Sequence, residues 1–381
     1  EPFFMNIDHP VRKVLIVGGG TAGWMTAAAL SKLIGKKLDI TLVESDQIGT
    51  IGVGEATIPT FIALHQLMKI SEAEFLSQVQ GTIKLGISFE GWQTPEKNYI
   101  HAFGTTGQGC WAAGFHHFWN RADRLGLALD YGRYSPELMA AREGRFGHVR
   151  EAPLNYAYHL DATAYAKYLR SFAETQGVKR VEGRIDAVHK DAEGAIASVQ
   201  LSHGAQLEAD LFVDCSGFVG LLVNKALETP FEDWSKWLPC DRAVAVQTTS
   251  VEDPIPYTRA IAHGAGWQWK IPLQHRVGNG LVFSSEFLSD DEATQLLLSE
   301  ITGTTITDPR VIQFRTGQRQ SHWVKNCVAI GLASGFIEPM ESTSIHLIQR
   351  GIVRLMQLFP YGGINEGDRA EFNDQMTTEF R

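Results

Sequence analysis

A glycine-rich turn between a short apolar run and a helical stretch constrains this chain more than any other feature. Val14-Leu15-Ile16-Val17 has the length and composition of a buried strand. It runs directly into Gly18-Gly19-Gly20-Thr21-Ala22-Gly23, a G-x-G-x-x-G pattern, and Ala22 to about Leu33 is rich in Ala, Leu and Met, as a helix would be. Asp39 to Val43 reads as a second strand, so the opening is a βαβ unit with a parallel sheet. The glycines permit a tight turn and let amides at the helix N-terminus approach a pyrophosphate. Glu44 follows Gly23 by roughly 20 positions, where an acid can hold ribose hydroxyls. Gly18, Gly20, Thr21, Ala22, Gly23 and Glu44 are therefore candidate cofactor-binding residues. The motif alone does not separate FAD from NAD, and a plain glycine turn is the bland alternative.

Two further strand-to-glycine junctions follow, Phe212-Val213-Asp214-Cys215-Ser216-Gly217 and Cys327-Val328-Ala329-Ile330-Gly331. Three such junctions scattered along the chain imply a cofactor domain assembled from discontinuous segments, with substrate-domain insertions between them. The connector Gly49 to Thr60 is too punctuated by Gly, Thr and Pro for regular structure. Phe61 to Glu151 is aromatic-rich and of mixed character, Leu154 to Thr175 is helical in its second half, and Val178 to Leu211 reads as several short strands. The span between the second and third junctions is less regular. A length of 381 residues fits two or three domain-sized units. The net charge of -9, with no dense Lys/Arg run, argues against a nucleic-acid surface. No apolar run approaches a membrane span and the N-terminus lacks a signal-peptide layout, so the expected location is cytoplasmic, with Met5 as the native start. Cys110, Cys215, Cys240 and Cys327 form no Cys-x-x-Cys pair, which speaks against a metal site or disulfide framework. The adjacent His116 and His117 would point apart and have no evident acid or cysteine partner, so no metal is expected there either.

Three segments carry candidate chemistry. Gly331-Leu332-Ala333-Ser334-Gly335-Phe336-Ile337-Glu338-Pro339-Met340-Glu341-Ser342-Thr343-Ser344-Ile345 reads as a strand end opening onto a helix, with the carboxylate of Glu341 beside small residues whose amides can face an anion. Lys84 stands in an apolar setting, Ile83-Lys84-Leu85-Gly86-Ile87. If buried without a partner, its ammonium form is disfavoured and its pKa falls; snorkelling to water from a strand end is the ordinary alternative. Trp267 and Trp269, in Trp267-Gln268-Trp269-Lys270-Ile271-Pro272, would face the same side of a strand, and two core tryptophans are an equal reading.

Taken together, these segments resemble the flavin-dependent tryptophan halogenase family, over about Val11 to Pro360. The resemblance implies an α/β fold: an FAD-binding Rossmann-like domain of the aromatic monooxygenase/halogenase type with an inserted, mixed α+β substrate domain. Its expected segments are FAD-binding over 9–60, substrate domain over 61–153, FAD-binding over 154–225, substrate domain over 226–320, FAD-binding and halide segment over 321–355, and a C-terminal helical start over 356–381. It further implies that Asp214 to Phe218 and Gly331 to Ala333 are flavin-contact segments, that Ile185, Leu332 and Ile345 lie along the FAD, and that Gly52 to Pro59, with Glu55, form a strap between flavin and reaction chamber; an ordinary loop is the alternative for the strap.

Residue by residue, Lys84 matches the family's essential lysine, which captures hypohalous acid as a haloamine or by hydrogen bonding. Glu341 matches the active-site glutamate, which polarises the halogenating species or accepts the proton from the arenium intermediate; a helix N-terminal acid complementing the dipole is the plain reading. Thr343 and Ser344 correspond to the halide site. The family usually has glycine at the position of Ser344, so serine would be strained there if the backbone is left-handed. His101 and Phe103 match positions that sandwich the indole, with a pair of core aromatics as the alternative, and the tryptophan pair would keep substrate off the flavin. FAD would arrive reduced from a separate NAD(P)H-dependent flavin reductase, chloride or bromide would be the co-substrate, and the substrate would be a small aromatic. Tryptophan-specific members continue past the point of Arg381 into a segment that grips the amino-acid portion. The expectation is therefore a missing tail or a more open pocket, and indole or a substituted indole over free tryptophan. An FAD-dependent aromatic hydroxylase, which shares the Gly18–Gly23 site without needing Lys84 and Glu341, and a non-catalytic flavin-binding protein are the competing readings.

Overall fold

The computed structural model describes residues 10–35, 37–48 and 54–381. Lys13–Val17 is the apolar strand, and its side chains alternate between two cores. Val14 and Ile16 join a large cluster with the helices Thr21–Ala29, Ala162–Thr175 and Thr343–Gln357, while Leu15 and Val17 pack on the opposite face against Ile196, Val199 and Leu201 of a small antiparallel sheet. A strand covered on both faces has no polar side, which is why its sequence is a continuous apolar run.

The six-stranded sheet containing it runs, edge to edge, Trp323–Val324, Cys327–Ala329, Leu211–Asp214, Lys13–Val17, Asp39–Glu44, Lys179–Glu182. All neighbours are parallel except the first hairpin. The three strand-to-glycine junctions therefore end side by side, on neighbouring strands at the carboxyl edge of the sheet. That is the edge where α/β sheets bind ligands.

The second layer is a seven-stranded sheet ordered Arg310–Gln313, Arg242–Thr248, Val277–Phe283, Gly266–Pro272, Thr258–His263, Gly86–Glu90, Asn98–Ala102. It is antiparallel apart from the pair Thr258–His263 and Gly86–Glu90. This corrects the reading of the later part of the chain as less regular: the strands there are long. Val277–Phe283 is buried nearly continuously, and Gly278 and Gly280 interrupt it, so neither alternation nor punctuation marks it as a strand. Gly280 sits opposite Trp269, whose ring occupies the space a Cβ would need, 2.0 Å from it.

A three-stranded sheet joins the layers. Its central strand, Ala157–Asp161, pairs with Gly54–Ala56 on one side and Thr82–Lys84 on the other. The connector read as irregular thus contains a strand; Gly49 to Val53 lie outside the described residues. The chain passes through Leu85 from Thr82–Lys84 straight into Gly86–Glu90, so one short segment belongs to both the small sheet and the large one. No helix among the described residues is long and apolar enough to cross a membrane.

Candidate active site

The cofactor cradle is built from backbone. Gly18 has φ +113°, and a Cβ there would lie 2.3 Å from the Cys215 carbonyl oxygen, so only glycine allows these two strand ends to touch. At Gly23 a Cβ would meet the Gly18 carbonyl oxygen at 1.8 Å, which closes the helix onto the turn. Gly20, by contrast, has nothing within 4 Å of a Cβ, and it starts the helix Thr21–Ala29 with extended backbone and no side-chain cap. The first amides of that helix therefore face open space, which suits a pyrophosphate. Thr21 and Ala22 form its first turn, and Ala22 lies against Gly331 of the third junction.

Glu44 reaches back over Gly19 and is held by Arg180 Nε at 2.5 Å and Trp24 Nε1 at 3.3 Å. This fixes the carboxylate while leaving lone pairs for a hydroxyl donor. Asp214 is fully spent on the fold: it accepts from Ser216 N and Oγ, Leu222 N and Val223 N at 2.6–3.0 Å, shaping the turn that follows its strand. Leu332 lies in the turn Gly331–Ala333, the Ile345 side chain is buried in the main core, and Ile185 packs against the cluster on the other face of the sheet. Glu55 sits in the strand Gly54–Ala56; its side chain keeps some exposure, yet the surrounding protein pushes its carboxyl up to about 7.

Lys84 is fully buried. Its Nζ donates to the Thr57 carbonyl oxygen at 3.0 Å and to Ser342 Oγ at 2.6 Å, and lies 5.3 Å from the centre of the Phe103 ring. The strand Ala157–Asp161 sets this meeting, since Lys84 pairs with Ala157 while Thr57 N–H and Oγ both bond to Tyr158. Burial lowers the lysine pKa and the nearby Glu341 carboxylate offsets part of that, leaving it at about 7. Behind it, His159 is also buried. The Thr82 hydroxyl donates to the Pro272 carbonyl at 2.7 Å, so it accepts from His159 Nδ1, and Nε2 accepts from Thr258 Oγ1 at 3.0 Å. That leaves a neutral imidazole, its pKa depressed first by burial and then by Lys84.

The segment after Gly331 arrives from the opposite side. Ser342 caps the helix Thr343–Gln357 in left-handed conformation, φ +66° and ψ +39°. Ser71, Ser135, Asp161, Ser289 and Asn365 turn their side chains onto their own helices, but the Ser342 hydroxyl goes to Lys84 instead. The first turn of Thr343–Gln357 therefore lacks a side-chain cap, and Thr343 Oγ1 is buried with no partner among the described residues. Ser344 is helical, so the strain expected at that position falls on Ser342. Glu341 precedes the cap and lies outside the first helical turn. Its half-exposed carboxylate pairs with His101 Nδ1 at 3.0 Å. The hairpin Gly86–Glu90 and Asn98–Ala102 delivers His101 and then Phe103, whose N–H donates to the Leu85 carbonyl.

Trp267 and Trp269 fall in one cluster, with ring centres 6.1 Å apart. Trp269 also packs with Ala56 next to Thr57, and its Nε1 is buried without a partner among the described residues. The site thus combines an amide-lined cradle, two orphaned buried donors and a lysine poised near neutrality. The sequence profile described as tryptophan halogenase matches residues 13–381. The chain belongs to the tryptophan halogenase family.

Relatives agree. Tryptophan 7-halogenase RebH of Lentzea aerocolonigenes is 39% identical, covering 97% of this chain and 74% of its own length. Among solved structures, Xcc4156, a flavin-dependent halogenase from Xanthomonas campestris, superposes with a TM-score of 0.95 at 56% identity, over 97% of this chain and 75% of that one. BrvH, a flavin-dependent halogenase from Brevundimonas sp. BAL3, gives 0.93 at 46% identity, over 97% and 76%. This halogenase is accordingly a flavin-dependent enzyme of the family that halogenates indole- and tryptophan-type substrates, with an FAD-binding Rossmann-type domain.

Sequence reasoning about the halogenase missed Thr57 as acceptor, Ser342 as the second partner of Lys84, and Arg180 on Glu44. Ser342 lay inside the motif already singled out, but nothing in the string showed its left-handed backbone. His116 and His117 were expected to point apart; on the exposed helix Phe115–Arg124 their rings come within 4.0 Å, because long side chains on a solvent face can converge by rotamer choice. Among the described residues no group of three or more His, Cys, Asp or Glu is placed to hold a metal.

Proposed function

We propose that the halogenase chlorinates or brominates indole or a substituted indole, with hypohalous acid delivered to Lys84 from a cofactor cradle at Gly18–Gly23. The observation that carries this reading is the Lys84 amine, fully buried and bonded to Thr57 O and Ser342 Oγ, with its pKa lowered to about 7. When bound, FAD reduced by a separate NAD(P)H-dependent flavin reductase would supply, with oxygen and halide, the oxidised halogen.

The rest is work for the protein's own residues. As a neutral amine Lys84 has two N–H groups, and both are used, so its lone pair is left for an electrophilic halogen. As an ammonium it has a third N–H to donate to hypohalous acid. Thr343 and Ser344, at the uncapped start of Thr343–Gln357, would hold the halide through the helix amides and the orphaned Thr343 hydroxyl. Phe103 and His101 would hold the ring at Lys84, and Glu341 would take the proton that the ring loses on substitution.

The test is mass spectrometry of products from FAD, a generic flavin reductase, NADH and oxygen, with indole or tryptophan and chloride or bromide. Wild type should give halogen isotope doublets on indole. Lys84→Ala should keep FAD and lose product by at least about 100-fold. Unchanged turnover in that variant would remove Lys84 from the mechanism, and oxygenated product without halogen would make the protein a hydroxylase.

A further inference from the structure

The residues that face Lys84 from the far side stand on a segment with little structure of its own. Between the short strand Gly335–Phe336 and the helix Thr343–Gln357, two tight turns carry the chain, with Met340 N–H donating to the Glu338 carbonyl at 2.9 Å and Ser342 N–H to the Pro339 carbonyl at 3.0 Å. Such turns hold shape locally but do not set the direction in which the segment projects. Besides Glu341, which pairs with His101 on the edge strand, a second polar side chain ties it to the interior of the large sheet. Glu338 Oε2 accepts from Trp267 Nε1 at 2.9 Å. Met340 packs on the same cluster as Trp267, Trp269 and Cys240.

Glu338 is an unusual choice for a mere packing contact. It is largely buried, burial pushes its carboxyl up, and it forms no ion pair among the described residues. A carboxylate kept in such a place without a cation costs stability that an apolar side chain would not. Its position explains its retention. The segment leaves the cofactor sheet at Gly331 and must present Glu341 to His101 and Ser342 to Lys84. The Glu338–Trp267 bond is its anchor in the interior of the large sheet, beside the edge contact of Glu341 with His101.

We infer that Glu338 is a positioning residue for the halogenation step, and that the first tryptophan of the Trp267–Trp269 pair serves as its hydrogen-bond donor. The inference rests on the roles proposed above for Lys84 and Glu341. With Glu338 untied, Ser342 and Glu341 drift by a fraction of an ångström to an ångström relative to Lys84, a displacement that costs up to about 100-fold in rate.

The test uses the FAD-loaded full chain and compares Glu338→Leu, Glu338→Gln, Trp267→Phe and the double variant Glu338→Leu/Trp267→Phe. Steady-state kinetics of indole halogenation are measured beside melting temperature and FAD affinity. Glu338→Leu and Trp267→Phe should each lower kcat about 10- to 100-fold, with KM for indole changed by no more than about twofold. The double variant should be no slower than the worse single one, as for two ends of one bond. Glu338→Gln should recover kcat to within about threefold of wild type, because its amide oxygen still accepts from the indole N–H. Full kcat in Glu338→Leu, multiplicative losses in the double variant, or a failure of glutamine to rescue would each overturn the positioning role. If Glu338→Leu does not fold, Trp267→Phe and Glu338→Gln decide the matter alone. Lys84→Ala in the same assay separates the two claims: activity there sinks the proposed mechanism, whereas its loss together with full kcat in Glu338→Leu sinks only the inference about Glu338.

Discussion

The parallel sheet and the antiparallel sheet contribute to the site in opposite currencies. At the carboxyl edge of the parallel sheet the strands turn most of their side chains into two cores, and apart from the Glu44 carboxylate what remains for a ligand is backbone: the Gly18–Gly23 turn and the amides that open Thr21–Ala29. The antiparallel sheet offers side chains instead, with Trp267, Trp269 and His101 projecting from its strands and Phe103 just beyond. Lys84 stands at the hinge between them, where Leu85 joins the small sheet to the large one. A backbone site fails by steric intrusion, and a side-chain site fails by loss of one chemical group.

Two glycine variants break the comparison on the backbone side, with the largest effect expected. Gly18→Ala forces a left-handed alanine into the Cys215 carbonyl, 2.3 Å away, and should cost at least about 3 kcal/mol together with FAD binding, as read by thermal melting and flavin fluorescence. Gly20→Ala has open space and φ −79°, so its melting temperature should stay within a few degrees while FAD affinity falls about tenfold. Equal damage from both would show that the turn is merely structural.

On the lysine, pH is the sharper tool. Lys84 loses its proton near 7, so if the free amine carries the halogen, kcat should rise about tenfold per pH unit below 7 and level off above it. Stability has a defined sign as well. The folded pKa of about 7 lies below the unfolded 10.5, so between those values the unfolded chain holds the extra proton and stability climbs with pH. Urea melts of Lys84→Met against wild type should show that climb missing from the variant.

The smallest effect is expected at Thr343. Thr343→Val removes a buried hydroxyl without a partner among the described residues, so stability should hold or improve by up to about 1 kcal/mol. If that hydroxyl serves the halide, KM for bromide or chloride should rise a few-fold while KM for indole stays put. An unmoved halide KM would assign the site to the helix amides alone.

Much of the parallel half was legible in advance. Val14 to Val17 read as a buried strand and is one, and the three glycine junctions, far apart in sequence, end on adjacent strands of one sheet. Of the antiparallel half, the tryptophan strand Gly266–Pro272 was legible, whereas buried strands interrupted by glycine, such as Val277–Phe283, carry no alternation to read. Within the site, residue types could be recognised but their partners could not. Lys84 drew notice as a lysine among apolar residues, whereas its bond to Ser342 spans 258 positions and depends on a backbone conformation that serine rarely adopts.

The sequence by itself determined the βαβ cradle and the family, because glycine at a crowded turn and apolar residues on a two-faced strand are local requirements with few alternatives. Only the tertiary structure decided that Lys84 is buried and near neutral, that Ser342 gives up its helix for it, and that Glu338 and Trp267 tie the two layers together. Those are consequences of three sheets meeting, and electrostatics and reach across such a junction depend on distances that no local pattern encodes.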